Sequence, residues 1–270
     1  MRTLLLCPTY NRVDTTVRFI EVLASQRVES TVSLMVVDAS SPDGTAQRVS
    51  SIRPTGALDG IQVLSVPRRY LWARAMTVAM NEAARQLDAR DAVILINDDI
   101  NPEQDAMAIL LEDHLRNDRA IVTATRSPEE PGGGRLRIER GHYGFLDADV
   151  SATTSHVVPI SVAPGRFTVV PASVILEGER LHYRLFPHHF ADLDFTGRMR
   201  AKGTRCLLSK RARFSDTTLP SSAAWSASAR RRYFSRKSPD RAVSAVAFWT
   251  RHAGVTAICS RFLGPQGRNR

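Results

Sequence analysis

The 270-residue chain has only three cysteines, Cys7, Cys206 and Cys259, far apart in sequence. That excludes a disulfide framework and a zinc knuckle, and makes a reducing cytoplasm the expected setting. No apolar run approaches the roughly 20 residues that cross a bilayer. The opening MRTLLLCPTY offers Leu4, Leu5 and Leu6 before Cys7, too short for a signal-peptide core. It is also a poor lipid-attachment signal, because Leu6 stands where a small residue is expected. Glycine-rich phosphate cradles are missing as well. No G-x-G-x-x-G follows the first apolar run and no G-x-x-x-x-G-K-[ST] occurs, which sets aside dinucleotide-binding dehydrogenases and P-loop NTPases. Gly132, Gly133 and Gly134 fall in the loop-like stretch SPEEPGGG, without the strand-then-helix context of a phosphate cradle.

What is present is a globular composition, 43% hydrophobic and 24% charged, with a formal net charge of +10. Much of that charge is late. Arg230, Arg231, Arg232, Arg236, Lys237, Arg241, Arg251, Arg261, Arg268 and Arg270 crowd the C-terminal end. Such a tail suits anionic headgroups or nucleic acid, or forms a solvated face.

Apolar runs at 2–7, 32–37, 61–66, 92–97 and 120–124 read as strands. The segments between them carry helical periodicity. Asp14 is expected to cap the first helix, with Val17, Ile20 and Leu23 on its apolar stripe, and Ser41-Pro42 to open a short second one. Trp72, Ala75, Met76, Ala79, Ala83 and Leu87 mark the third helix, and Met107, Leu110, Leu111 and Leu115 the fourth. Strands alternating with helices predict an α/β fold with a doubly wound, mostly parallel sheet. Shorter strand-like pieces at 135–140, 157–162 and 166–170 predict a mixed second half. A helix over 192–201 ends at Gly203.

Each early strand runs into a distinctive polar group. The first gives Pro8, Thr9, Tyr10, Asn11 and Arg12; the second Asp38; the third Arg68 and Arg69, with Arg74 soon after; the fourth Asp98 and Asp99. In a parallel sheet these emerge at one carboxyl edge, where ligands bind. Carboxylates paired at the mouth of a buried strand repel unless a cation neutralises them. A carboxylate for base or ribose donors, cations for phosphates and a metal-type acidic pair make this edge a nucleotide site by chemistry. The structural alternative is a helix N-terminus at Asn101-Pro102 that merely favours nearby acids.

The runs CPTYNR, VVDASSPDGT (36–45), INDDI and FADLDF (190–195) resemble, in order, the motifs of inverting family 2 glycosyltransferases with the GT-A fold, rhamnosyltransferase-like enzymes among them. The resemblance covers residues 2 to about 216. It implies that Pro8, Thr9, Tyr10, Arg12 and Asp38 hold the nucleobase and ribose, with Arg68, Arg74 and Asp98 also on the donor. It implies a Mg2+ or Mn2+ ion on the donor diphosphate, with Asp99 its ligand. The family often has a histidine after the next strand that completes the metal shell; here Arg213-Phe214-Ser215-Asp216 offers Asp216 in its place. Asp192 stands at the position of the catalytic base, which takes the acceptor proton during inverting transfer, and Asp194 supports it or binds acceptor. The alternative is that Asp192 caps the following helix and Asp194 is first-turn acid. His182, His188 and His189 precede this motif without zinc-ligand spacing.

On this resemblance residues 1–125 form the nucleotide-sugar-binding half and 126–218 the acceptor and catalytic half of one GT-A domain. Residues 219–270 form a basic, aromatic tail. Its Trp225, Tyr233, Phe234, Phe248, Trp249 and Phe262 interleave with the arginines, and 240–252 has the look of a short amphipathic helix. Such a helix suits a membrane surface and hence a glycan or lipid-linked acceptor, or packs back on the domain. Two rival readings are a nucleotidyltransferase on a related fold and a nucleic-acid-binding protein using the tail.

Overall fold

A computed structural model describes residues 1–127, 135–139, 145–149, 154–217, 234–236 and 241–252. The glycines at 132–134, the basic cluster Arg230–Arg232 and the aromatics Trp225, Tyr233 and Phe262 lie outside the described residues.

The alternation of apolar runs and helical stripes produces β1 (Arg2–Thr9), α1 (Val13–Ala24), β2 (Thr31–Asp38), α2 (Thr45–Ser50), β3 (Leu58–Ser65), α3 (Trp72–Gln86) and β4 (Ala92–Ile96). These four strands are parallel in the order β3-β2-β1-β4. The chain winds outward from β1 to β3, then returns to the other side of β1 as β4. Strand order therefore reverses between β1 and β4, and the crevice beyond their carboxyl ends is where such sheets bind ligands.

The rest of the chain comprises β5 (Ile100–Pro102), α4 (Ala106–Arg116), β6 (Ile121–Arg126), β7 (Arg135–Glu139), β8 (Phe145–Asp149), β9 (Val157–Pro159) and β10 (Phe167–Pro171). After these come α5 (Ala172–Leu176), α6 (Ala191–Ala201), β11 (Cys206–Asp216) and α7 (Ala242–His252). The sheet continues β4-β10-β6-β11-β5, with β10 antiparallel to both its neighbours and β9 added to β11. β7 and β8 pair with each other as a separate two-stranded sheet. The expected mixed α/β architecture is observed.

Burial on both faces explains the near-continuous apolar strands. Leu4, Leu6, Val93 and Leu95 face a core shared with α3, α5, α6 and α7. Leu5, Cys7, Ile94 and Ile96 face the opposite core, shared with α1, α2 and α4. Met76 and Met80 of α3 are fully buried, and each such side chain contributes about 1.5–3 kcal/mol on leaving water.

Three local expectations change. Asp14 is not the cap of α1: Arg12 holds that position, and Asp43 Oδ2 accepts the Val13 N–H at 3.0 Å. Ser41-Pro42 does not open α2, whose N-cap is Gly44 at φ +80°. Asn101-Pro102 does not start a helix. Ile100–Pro102 pairs antiparallel with Phe214–Asp216 of β11, and the helix begins only at Ala106. Proline is tolerated because β5 is an edge strand. That removes the helix-terminus explanation of Asp98 and Asp99.

Candidate active site at the sheet edge

Thr9 is the last residue of β1, and Asp98 and Asp99 follow β4 after Asn97. Asp98 is 2% exposed, so its carboxylate needs partners to stay charged. It has three. The Thr9 and Thr16 hydroxyls donate to Oδ2 at 2.8 and 2.9 Å, and Arg12 Nη1 donates to Oδ1 at 3.0 Å. Arg12 also reaches Asp99 Oδ2 at 3.2 Å. Burial works against the guanidinium, but Asp98 and Asp99 outweigh it and raise Arg12 above its ordinary value. Asp98 is thus a structural anchor of this corner, and Asp99 beside it is more exposed.

The end of β2 is tied in beside them. Asp38, 1% exposed, accepts from the Ser41 N–H at 3.0 Å and from the Ser41 hydroxyl. Ser41 Oγ in turn accepts the Asn11 N–H at 2.8 Å. Pro8 lies within β1 opposite Val37. Arg68 sits over the Tyr10 ring at 5.6 Å, and Arg74 over Tyr70 at 3.8 Å and Tyr183 at 5.2 Å. Cations stacked on aromatic faces are held at a fixed height above the edge.

β5 and β11 bring Asp216 alongside Asp99: Asp216 is in register with Ile100, and the Thr217 N–H donates to the Asp99 carbonyl at 3.0 Å. Besides Arg12 on Asp99, two more arginines converge on these acids. Arg166 Nη2 lies 2.6 Å from Asp216 Oδ1 and 3.4 Å from Asp99 Oδ1, and Arg126 Nη2 lies 2.7 Å from Asp216 Oδ2. Neither Arg126 nor Arg166 stands out in sequence, since both are placed by β-strand order rather than by a motif.

Asp192 enters from α6. Its Oδ2 accepts the Gly165 N–H at 2.7 Å and its Oδ1 the Leu193 N–H at 2.9 Å. It is not the cap of α6, a position taken by Phe190 at φ +68°. Burial raises the Asp192 carboxyl above its ordinary value, partly offset by the Gly165 and Leu193 N–H groups. Gly165 lets the turn approach closely: a Cβ there would lie 3.0 Å from both Asp192 Cβ and the Trp72 ring. The next residue joins the two halves of the site. The Arg166 carbonyl accepts the Asn97 N–H at 3.1 Å while its guanidinium holds Asp99 and Asp216. Asn97 Oδ1 accepts the Trp72 indole N–H at 2.9 Å. The Gly165-Arg166 turn therefore connects the carboxylate of α6 with the acids of the strand ends.

Asp194 lies elsewhere. It is fully buried, with Arg198 Nε at 3.0 Å, Arg251 Nη1 at 2.5 Å, His252 Nε2 at 3.1 Å and His182 Nδ1 at 3.2 Å. Burial works against its charge, but the hydrogen bonds from His252, Arg198 and Arg251 outweigh it and hold its pKa at about 2. Asp194 fastens α7 to α6 and does not face the crevice. The aromatic face of α7 follows: Phe248 is fully buried, Trp249 is 7% exposed, and Phe248 packs on Phe190 at 5.0 Å. These two aromatics pack back on the domain, while Val243 and Val246 on the same helix are exposed.

Among the described residues no group of three or more His, Cys, Asp or Glu side chains could hold a metal ion. Asp99 and Asp216 nevertheless share one cationic nitrogen, that of Arg166. Two carboxylates converging on one cation, completed by phosphate oxygens and water, is the donor set magnesium-like ions accept. The fit holds for an ion that arrives with phosphate ligands.

Residues 5–171 match the description "Glycosyl transferase family 2". Solved structures share the fold. S. aureus TarS aligns with a TM-score of 0.59 at 14% identity over 81% of this chain and 37% of that one. The mannosyltransferase PcManGT from Pyrobaculum calidifontis, in complex with GDP-Man and Mn2+, aligns at 0.59 and 15% identity over 82% and 58%. GalNAc-T7 with UDP, GalNAc and Mn2+ aligns at 0.63 and 9% identity over 80% and 44%. The chain thus spans roughly half the length of these proteins or less. No curated relative matches the sequence. With the family match covering more than half of the residues and GT-A glycosyltransferases sharing its sheet, the chain belongs to glycosyl transferase family 2.

Proposed function

We propose that this chain transfers a hexose-type sugar from a nucleotide-diphosphate sugar to an acceptor hydroxyl, with inversion at the anomeric carbon. The observation that carries the proposal is the Gly165-Arg166 turn, which touches Asp192 on one side and Asp99 and Asp216 on the other. A base and a diphosphate-binding group must flank the anomeric carbon in such a reaction.

In this reading the Asp192 carboxylate takes the acceptor proton as the oxygen attacks, and the nucleotide diphosphate leaves from the opposite face. A raised pKa makes Asp192 a stronger base than an exposed aspartate. Asp38, Tyr10 and Arg12 receive the nucleoside, and Arg68 and Arg74 the phosphates or sugar. Mg2+ or Mn2+, when bound, offsets the diphosphate charge; Asp99 and Asp216 are the residues that would hold it. Two neighbours were solved with Mn2+, and TarS residues 1–349 with UDP-GlcNAc, which supports a nucleotide-sugar donor. The family match removes the ground for a nucleotidyltransferase.

We place the acceptor among glycans or lipid-linked glycans of the cell envelope, with the reaction on the cytoplasmic side of an anionic membrane. The +10 charge, concentrated late in the chain, supports that setting. The deciding experiment incubates the full chain with a panel of nucleotide sugars, Mn2+ or Mg2+, and candidate acceptors, and reads released nucleotide diphosphate. Release with one donor is expected. Failure of every donor to bind or to turn over would overturn the proposal.

A further inference from the structure

The acids at this strand edge are already neutralised by the protein. Asp98, Asp99 and Asp216 carry three negative charges, and Arg12, Arg126 and Arg166 carry three positive ones within 3.4 Å of them. The Arg166 nitrogen occupies the point between Asp99 Oδ1 and Asp216 Oδ1, where a shared divalent ion would sit. A guanidinium cannot lose its proton to make room. Two cations at one point repel strongly in a half-buried site. An ion binding there must displace the Arg166 head, and that head then needs a new anion.

The only anion the proposed reaction supplies at this place is the donor diphosphate, a group that planar guanidinium donors match well. Charge counting agrees. A divalent ion alone adds two positive charges beside the Arg166 head, and a diphosphate arriving with it offsets them. We infer that Arg166 is an internal competitor for the cation site, which admits the metal only together with the nucleotide diphosphate and then passes its own charge to that diphosphate. The inference rests on the transferase reading above and adds Arg166 to it as a residue that contacts the donor. Its backbone carbonyl is bonded to the Asn97 N–H and its guanidinium lies 5.7 Å from the Phe214 ring, which holds the arm at the edge.

The test is Mn2+ binding to the full chain, read from the electron paramagnetic resonance of the free ion, with and without UDP or GDP. For the native chain, the nucleotide that binds is expected to tighten Mn2+ at least tenfold, and Mn2+ to tighten that nucleotide by the same factor. Arg166→Gln should bind Mn2+ alone about tenfold more tightly than the native chain while binding Mn2+ with nucleotide more weakly. Arg166→Lys, which keeps the charge, should restore weak binding of Mn2+ alone. Circular dichroism establishes that each variant is folded; if Arg166→Gln is not, the nucleotide dependence of Mn2+ binding in the native chain decides alone. The inference is overturned if the native chain binds Mn2+ equally well without nucleotide, or if folded Arg166→Gln gains no affinity for Mn2+. Absence of any nucleotide binding overturns the transferase reading instead, while the Mn2+-only comparison still reports on Arg166.

Discussion

Asp192 and Asp194 stand two residues apart in the first turn of α6, yet one accepts the Gly165 N–H at 2.7 Å and the other is buried under α7 against Arg251. Helical geometry explains the division, since residues i and i+2 do not share a face. One turn of helix thus carries the proposed base on one side and a structural clasp on the other.

Asp192→Asn keeps the shape and one of the two accepted N–H contacts, because an amide nitrogen cannot accept, and removes the proton acceptor. Nucleotide-sugar affinity by calorimetry should change less than about twofold, while transfer should fall by about 100-fold or more, the scale of a lost general base. A parallel loss of donor affinity would show that Asp192 serves the donor.

The raised pKa of Asp192 sets a pH dependence. Transfer needs the ionised form, so kcat should fall on acidification along a limb lying above the ordinary carboxylate range. A limb at or below that range would contradict desolvation of this carboxylate.

Asp194 sets stability rather than turnover. Its pKa is lowered from 3.8 to about 2, so the folded state binds fewer protons than the unfolded one between those values. The stabilisation is present above pH 4 and is lost as pH falls through about 2, amounting to about 2 kcal/mol. Asp194→Asn should lower the Tm at neutral pH by several degrees and flatten the acid limb of the stability profile. Differential scanning calorimetry from pH 2 to 7 measures both.

Thr16→Val removes one of the three donors to the buried Asp98 carboxylate. The expected loss is about 1–3 kcal/mol in urea unfolding, because the remaining charge stays out of water. An unchanged midpoint would mean that Asp98 has another donor.

Flotation with phosphatidylserine vesicles tests the proposed membrane contact. Binding should be strong at low salt and fall steeply by 0.5 M, as expected for arginine-driven attachment. Salt-insensitive binding would instead mean apolar insertion.

The row of polar strand ends was readable because the parallel sheet rule needs only the order of apolar runs. Thr9, Asp38, Asp98 and Asp99 follow from it. Asn97, which had no role as an isolated letter beside the two aspartates, gains one only when Trp72 and the Arg166 carbonyl arrive from distant segments. Ile100–Pro102 misled for a similar reason. Asn-Pro is a sound helix-start signal locally, but pairing with β11 supplied backbone partners that a helix start could not. α7 shows the same limit: its amphipathic pattern specifies that Phe248 must be covered, without saying by what.

The sequence by itself determined the alternating architecture and the polar strand ends, since hydrophobic period and strand ends are local properties that burial translates directly. Only the tertiary structure decided which charges meet. Arg126 and Arg166 come to Asp216 and Asp99 through strand order in a sheet, and Asp194 to Arg251 through helix docking across more than 50 residues. Coulombic partners over such separations are chosen by packing, which no spacing along the chain records.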